Sequence, residues 1–208
     1  MFDLIYQLGV SGRTAQRDDD NEIQKLKMNI NWLSGGPYFE VSILTSNRQS
    51  RECFINSYIQ KLKSLQSKVE FVETQLDIEE KIKTFIECNS DNIDLNIWAA
   101  IAGKRRARFF VSVLSDEIIL VDFWFLGDEF SKQPITKKDF PKFKRFLEEI
   151  LCVFDGFVGT LGWESDCSCL FKTENTYPHK DYSVKNLQLN EKEPTGIECL
   201  LVKTERIG

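Results

Sequence analysis

Residues 156–171, "GFVGTLGWESDCSCLF", gather glycine, tryptophan, acid and thiol in one short stretch. Asp155, Glu164 and Asp166 flank its apolar run. Asp122, Asp128 and Glu129 sit within and just after a second apolar run, "IILVDFWFLGDE". Carboxylates gathered at strand ends hold Mg2+ in hydrolytic sites, where the ion polarises phosphate and activates water. Asp122, Asp155 and Asp166 therefore define one reading of the chain, a carboxylate-based Mg2+-dependent phosphoesterase or nuclease. No lysine-bearing second signature accompanies these acids, and solvated strand-end acids are the simpler account.

Cys167 and Cys169 are two residues apart. In a strand both sulfurs would point to the same face. Structural zinc needs four ligands, and no second cysteine pair supplies them. A redox helix needs C-x-x-C, which is absent. The two thiols read as inward-facing small apolar groups, with reversible oxidation as the alternative. Cys53, Cys88 and Cys152 fall in apolar helical patterns and read the same way. The chain has one histidine, His179, inside the polar segment "YPHKDY". One histidine cannot build a two-histidine metal site, and most nucleophilic triads need a placed imidazole.

Gly156, Gly159 and Gly162 follow a helical pattern, so they are not the dinucleotide fingerprint, which opens a helix. Gly156 suits a helix C-terminus; Gly159 and Gly162 suit a bulge or a close backbone approach. "GKRRAR" at 103–108 is the one dense basic run. It lies between two strand patterns without interleaved aromatics and reads as a solvated turn. The expectation is of no cofactor and no bound metal.

Alternation of apolar and polar residues sets the elements that carry these groups. "KLKMNINWL" (25–33) and "YFEVSILTS" (38–46) alternate on either side of Gly-Gly-Pro and predict a hairpin, with a helix over 22–33 as the rival reading. "FDLIYQLGV" at the start adds a strand beside it. Residues 50–66 predict an amphipathic helix capped by Ser50, and 69–73 a short strand. Residues 77–88 predict a helix opening on Asp77 with Glu80 in a capping box. "IDLNIWAAI" (93–101) is another strand. Residues 108–126 predict two strands around Ser115-Asp116, apolar enough to be covered on both faces. Residues 136–154 give the strongest helical pattern, with Asp139 as cap and Pro141 in its first turn. Residues 156–164 return as a strand, 172–196 read as a polar surface excursion, and 197–205 as a last strand.

The resulting expectation is one α+β domain over 1–208, with a mixed, mainly antiparallel sheet and helices on one face. Hairpin, helix and strand recur over 25–73 and 108–164, which raises a pseudo-duplicated ββαβ unit against chance recurrence. The N-terminus has no secretory pattern and no apolar run is long enough to span a bilayer, so a cytoplasmic protein without a membrane partner is expected. The chain is acidic, with net charge −5. That disfavours nucleic acid and suits a basic protein partner.

An acidic α+β chain of this size, rich in aromatics, without a signal or a catalytic set and with the strand "GTLGWESDC", resembles the immunity proteins of bacterial polymorphic-toxin and contact-dependent inhibition systems. The resemblance covers short segments and transfers no individual site residue. It implies a non-enzymatic, stoichiometric inhibitor of a cognate toxin. Beside it, the residues themselves offer contacts of the right kind: Trp163 as aromatic anchor, and Glu164, Asp166, Asp128 and Glu129 to meet lysine or arginine. A phage-encoded inhibitor of a host defence enzyme is the same physical class. A small-ligand binder using the groove between helices and sheet is a further alternative.

Overall fold

The computed structural model describes residues 3–7, 38–126, 134–171, 182–189 and 196–203. Eight strands form one sheet. They are β1 (Asp3–Gln7), β2 (Tyr38–Ser46), β3 (Val69–Phe71), β4 (Asn92–Ala100), β5 (Lys104–Val113), β6 (Ile118–Leu126), β7 (Val158–Trp163) and β8 (Ile197–Val202). Their order across the sheet is β1-β8-β7-β2-β6-β5-β4-β3. Among the described residues every strand pairing is antiparallel, with no parallel pair of the mixed sheet that was expected. Among the described residues three helices accompany it: α1 (Arg51–Ser64), α2 (Gln75–Glu87) and α3 (Phe140–Val153). No helix among the described residues is long and apolar enough to cross a membrane.

The α+β expectation stands, and the helices share one face. Phe39, Val41 and Ile43 of β2, Val121, Phe123 and Phe125 of β6, and Phe109 and Val111 of β5 meet the apolar stripes of the helices in one core. Phe143, Phe146, Leu147, Ile150 and Leu151 of α3 are all buried there. Alternation then sends Glu40, Ser42, Leu44, Leu120 and Asp122 to the opposite face. Part of that face has its own apolar cover, in which Leu44, Leu120, Val158 and Leu200 pack with Cys167, Leu170 and Phe171. Tyr182, Val184 and Leu187 pack on this cluster, so part of the expected surface excursion lies against the sheet.

Of the hairpin expected over 25–46, residues 25–33 lie outside the described residues; the other half, β2, pairs with β6 on one edge and with β7 on the other. β1 pairs with β8 rather than beside that hairpin. The recurring pattern is not mirrored in space either. β7 returns beside β2, whereas β3 ends at the far edge of the sheet. Each strand goes where its apolar face finds cover, and the recurrence of element order did not report that.

Helix ends follow local chemistry. Ser50 caps α1 through its side chain, as expected. α2 starts earlier than expected, because Thr74 and Asp77 form the capping box in place of Asp77 and Glu80. Asp139 holds Thr136 with its carboxylate, accepting from the backbone N at 3.0 Å and from Oγ1 at 2.9 Å. α3 closes with Asp155 N–H on Cys152 O at 3.3 Å and Gly156 N–H on Leu151 O at 2.9 Å. The left-handed residue of this closure is Asp155, at φ 59°, not Gly156.

Candidate functional site

Two charges stand in strands that are otherwise apolar. Glu40 is the one charge in "YFEVSILTS" and Asp122 the one charge in "IILVDFWFL". Antiparallel pairing of β2 with β6 sets Ser42 opposite Asp122 and Glu40 opposite Trp124. Pairing of β2 with β7 sets Ser42 opposite Thr160 and Glu40 opposite Gly162. Both acids thus project from neighbouring strands onto the face away from the helices. Just past β7 the chain turns back across that face. Asp166 accepts a hydrogen bond from Ser168 N–H at 2.6 Å and starts a short 3-10 turn over Cys167–Leu170.

The turn brings Asp166 onto Glu40 and Asp122. One carboxylate oxygen from each of the three lies within 4.8 Å of the others. Asp122 is 1% exposed and Glu40 8%. Trp124 Nε1–H donates to Asp122 Oδ2, while Asp122 Oδ1 is buried without a hydrogen-bond partner. No lysine or arginine among the described residues forms an ion pair with Glu40, Asp122, Glu164 or Asp166. Burial, and then the charges of Asp166 and Glu164, push the Glu40 carboxyl up to about 8. Burial first, then Glu40 and Asp166, raise Asp122 well above the usual carboxylate range. Three carboxylates this close cannot all stay ionised in a dry setting unless protons or a cation offset them.

The floor beside them is polar but closed. Ser42 Oγ and Thr160 Oγ1 lie 2.9 Å apart, and Ser42 Oγ also accepts from Cys167 N–H at 2.8 Å. The Cys167 thiol donates to Ser42 O at 3.4 Å, and burial pushes its pKa up, so it rests as a thiol. On the open side Tyr38, Trp124 and Phe110 form an aromatic run, half-buried, with ring centroids 5.4 and 4.2 Å apart.

The expected contact residues separate. Trp163 packs edge-on against Phe39 at 5.1 Å, within the helix-side core, and so projects away from the acids. It is half-buried core rather than a free anchor. Glu164 is exposed, at φ 49°, with its N–H on Tyr38 O. Asp128 and Glu129 lie outside the described residues, as does His179. Of the three acids of the phosphoesterase reading, Asp122 and Asp166 converge and Asp155 does not. Asp155 sits beyond the start of β7, in a small groove with Tyr58 and Lys61. Glu40 takes its place. The signal was present in the sequence as a lone charge in an apolar strand, but its meaning depended on strand order.

Three further expectations need correction. Residues 167–170 form a 3-10 turn and not a strand, so Cys167 is buried while Cys169 is exposed. Cys53, Cys88 and Cys152 are exposed rather than packed. The basic run lies on β5 rather than in a turn, and Trp98 supplies the aromatic thought absent, 5.6 Å from Lys104 Nζ and 5.7 Å from the Arg106 guanidinium. Charge there is locally offset: Lys104 pairs with Glu70 and Arg108 with Asp94. Comparison of the chain with known protein families, with curated proteins and with solved structures finds no match.

Proposed function

We propose that the protein is a stoichiometric binding protein that neutralises a basic partner, a toxin domain or similar effector, by engaging it at the acidic site beside Tyr38 and Trp124. The carrying observation is the concentration of negative groups there. Glu40, Asp122 and Asp166 converge, Glu164 stands exposed next to them, and no basic side chain among the described residues pairs with any of the four. A negative focus of this kind steers a basic surface and gains specificity from complementarity more than from area. Tyr38, Trp124 and Phe110 offer the aromatic anchorage once expected of Trp163.

The phosphoesterase reading draws support from the convergence of Asp122 with Asp166. It fits the burial less well. A catalytic ion must share its coordination with a substrate and with water, and Asp122 is 1% exposed.

Glu164→Lys is the test. The residue is exposed, and its side chain makes no hydrogen bond or ion pair with another described residue. In co-expression with a toxin domain, if one is encoded beside its gene, the wild type should protect growth. The variant should lose at least tenfold in affinity for that domain, with unchanged circular dichroism. Equal affinity for both forms counts against the site. Divalent-cation-dependent cleavage of bis(p-nitrophenyl) phosphate that disappears in Asp122→Asn would replace the reading with the enzymatic one.

A further inference from the structure

The carboxylate cluster has a property that does not depend on any protein partner. Its three oxygens come from three separate chain segments: β2, β6 and the turn after β7. All three donors are carboxylate oxygens. The nearby sulfur is a protonated thiol engaged with Ser42 O, and the Ser42 and Thr160 hydroxyls are spent on each other and on Cys167. The second, independent observation is Asp122 Oδ1. It is buried and unpartnered, although Oδ2 of the same carboxylate is satisfied by Trp124. A buried acceptor left open beside two further carboxylates is an arrangement that folds retain when an ion completes it.

We infer that Glu40, Asp122 and Asp166 bind one hard divalent cation of the Ca2+ class, which ties β2 and β6 to the turn carrying Glu164. Burial of the set favours Ca2+ over Mg2+: Asp122 is 1% exposed and Glu40 8%, whereas Mg2+ sheds its waters reluctantly and keeps several of them where it binds. The three oxygens lie within 4.8 Å of one another, so a single ion can reach all three. An all-oxygen set also selects against zinc and copper. The inference departs from the expectation of a metal-free chain. Three carboxylates and a divalent ion leave one negative charge, and Glu164 adds another, so the site stays attractive to a basic surface. The ion has a structural role here: it orders the end of β7 from which Glu164 projects.

The experiment uses the full chain, stripped with EDTA and titrated with CaCl2, MnCl2 and MgCl2 against NaCl at matched ionic strength. Calorimetry should give one Ca2+ per chain, with Mg2+ at least tenfold weaker, and the melting temperature should rise with Ca2+ but not with NaCl. Glu40→Gln and Asp122→Asn should fold, because each removes a repelling charge, and each should weaken Ca2+ binding at least tenfold. Absence of binding at millimolar Ca2+ in the wild type overturns the site. So does binding that both variants retain, since the ion would then lie elsewhere. Neither outcome touches the Glu164 test, which reads partner affinity.

Discussion

Taken from pH 5 to pH 8 without divalent cations, the protein is expected to lose a few kcal/mol of unfolding free energy. The sign follows from proton counting. Glu40 titrates at about 8 in the fold against 4.5 for a free carboxyl, and Asp122 is also raised. Between those values the folded chain holds protons that the unfolded chain has released. The favourable contribution is complete below about pH 4.5, falls as pH rises, and is gone above about pH 8. Asp77 and Asp139, whose carboxyls are held below the usual range by hydrogen bonds from Thr74 and Thr136, act in the opposite sense, but only in more acid solution. Urea titrations at unit pH intervals should therefore slope downward from pH 5 to 8. Glu40→Gln should flatten that slope and be the more stable form at pH 8. A flat wild-type profile would mean that the three carboxylates are not held together in solution.

Calcium should flatten the trend. Metal binding needs the carboxylates ionised, so the ion displaces protons and its apparent affinity climbs with pH until Glu40 is fully deprotonated. At saturating Ca2+ neither the folded nor the unfolded chain holds those protons above about pH 6, so the fall seen without the ion disappears. A merely surface-bound cation would leave the fall in place, because exposed acids are already ionised at pH 5.

Strand existence was legible wherever one face is buried. β2 and β4 are readable from alternation, and β6, β7 and β8 from short apolar runs bounded by turn signals. Partner choice was not. That β2 lies between β6 and β7 follows from apolar faces finding cover across long sequence separations, and no local pattern records it. The site shared this limit. Asp122 and Asp166 were singled out by type and position, yet Glu40 joins them only because β2 is inserted between the strands they belong to or follow. The packing of Trp163 against the helix-side core is hidden in the sequence for a related reason. Its neighbour Glu164 is exposed, but one step along a strand reverses the face, and Phe39 opposite Trp163 faces the helices. The 3-10 turn at Cys167 is not legible either, because nothing local separates an Asp166 that binds a ligand from one that accepts Ser168 N–H and starts a turn.

Gly162→Ala should be among the most damaging single-methyl changes available, costing about 3 kcal/mol. A Cβ built at Gly162 would lie 2.9 Å from Ile197 Cα, and closer still to Gly196 O. Both are backbone atoms of the segment that starts β8. The register between β7 and β8 shifts at this point, between Leu161 and Gly162, and Trp163 N–H reaches Gly196 O at 2.8 Å across the irregularity. Gly196 cannot retreat cheaply, since it holds φ 98° in contact with Ser165. Gly159→Ala provides the contrast. Its Cβ would meet Leu147 Cδ1 at 2.7 Å and Leu151 Cδ1 at 3.0 Å, the ends of flexible side chains on α3. Those can rotate, so a loss of about 1 kcal/mol is expected there. Two chemically identical substitutions three residues apart should thus differ by roughly 2 kcal/mol in urea denaturation. The Gly162 variant should also lose Ca2+ affinity, because Gly162 lies opposite Glu40 and the strand end it anchors leads directly to Asp166. Equal losses at the two glycines would mean that β8 is free to move away from β7, and that the turn carrying Asp166 is not held by the sheet.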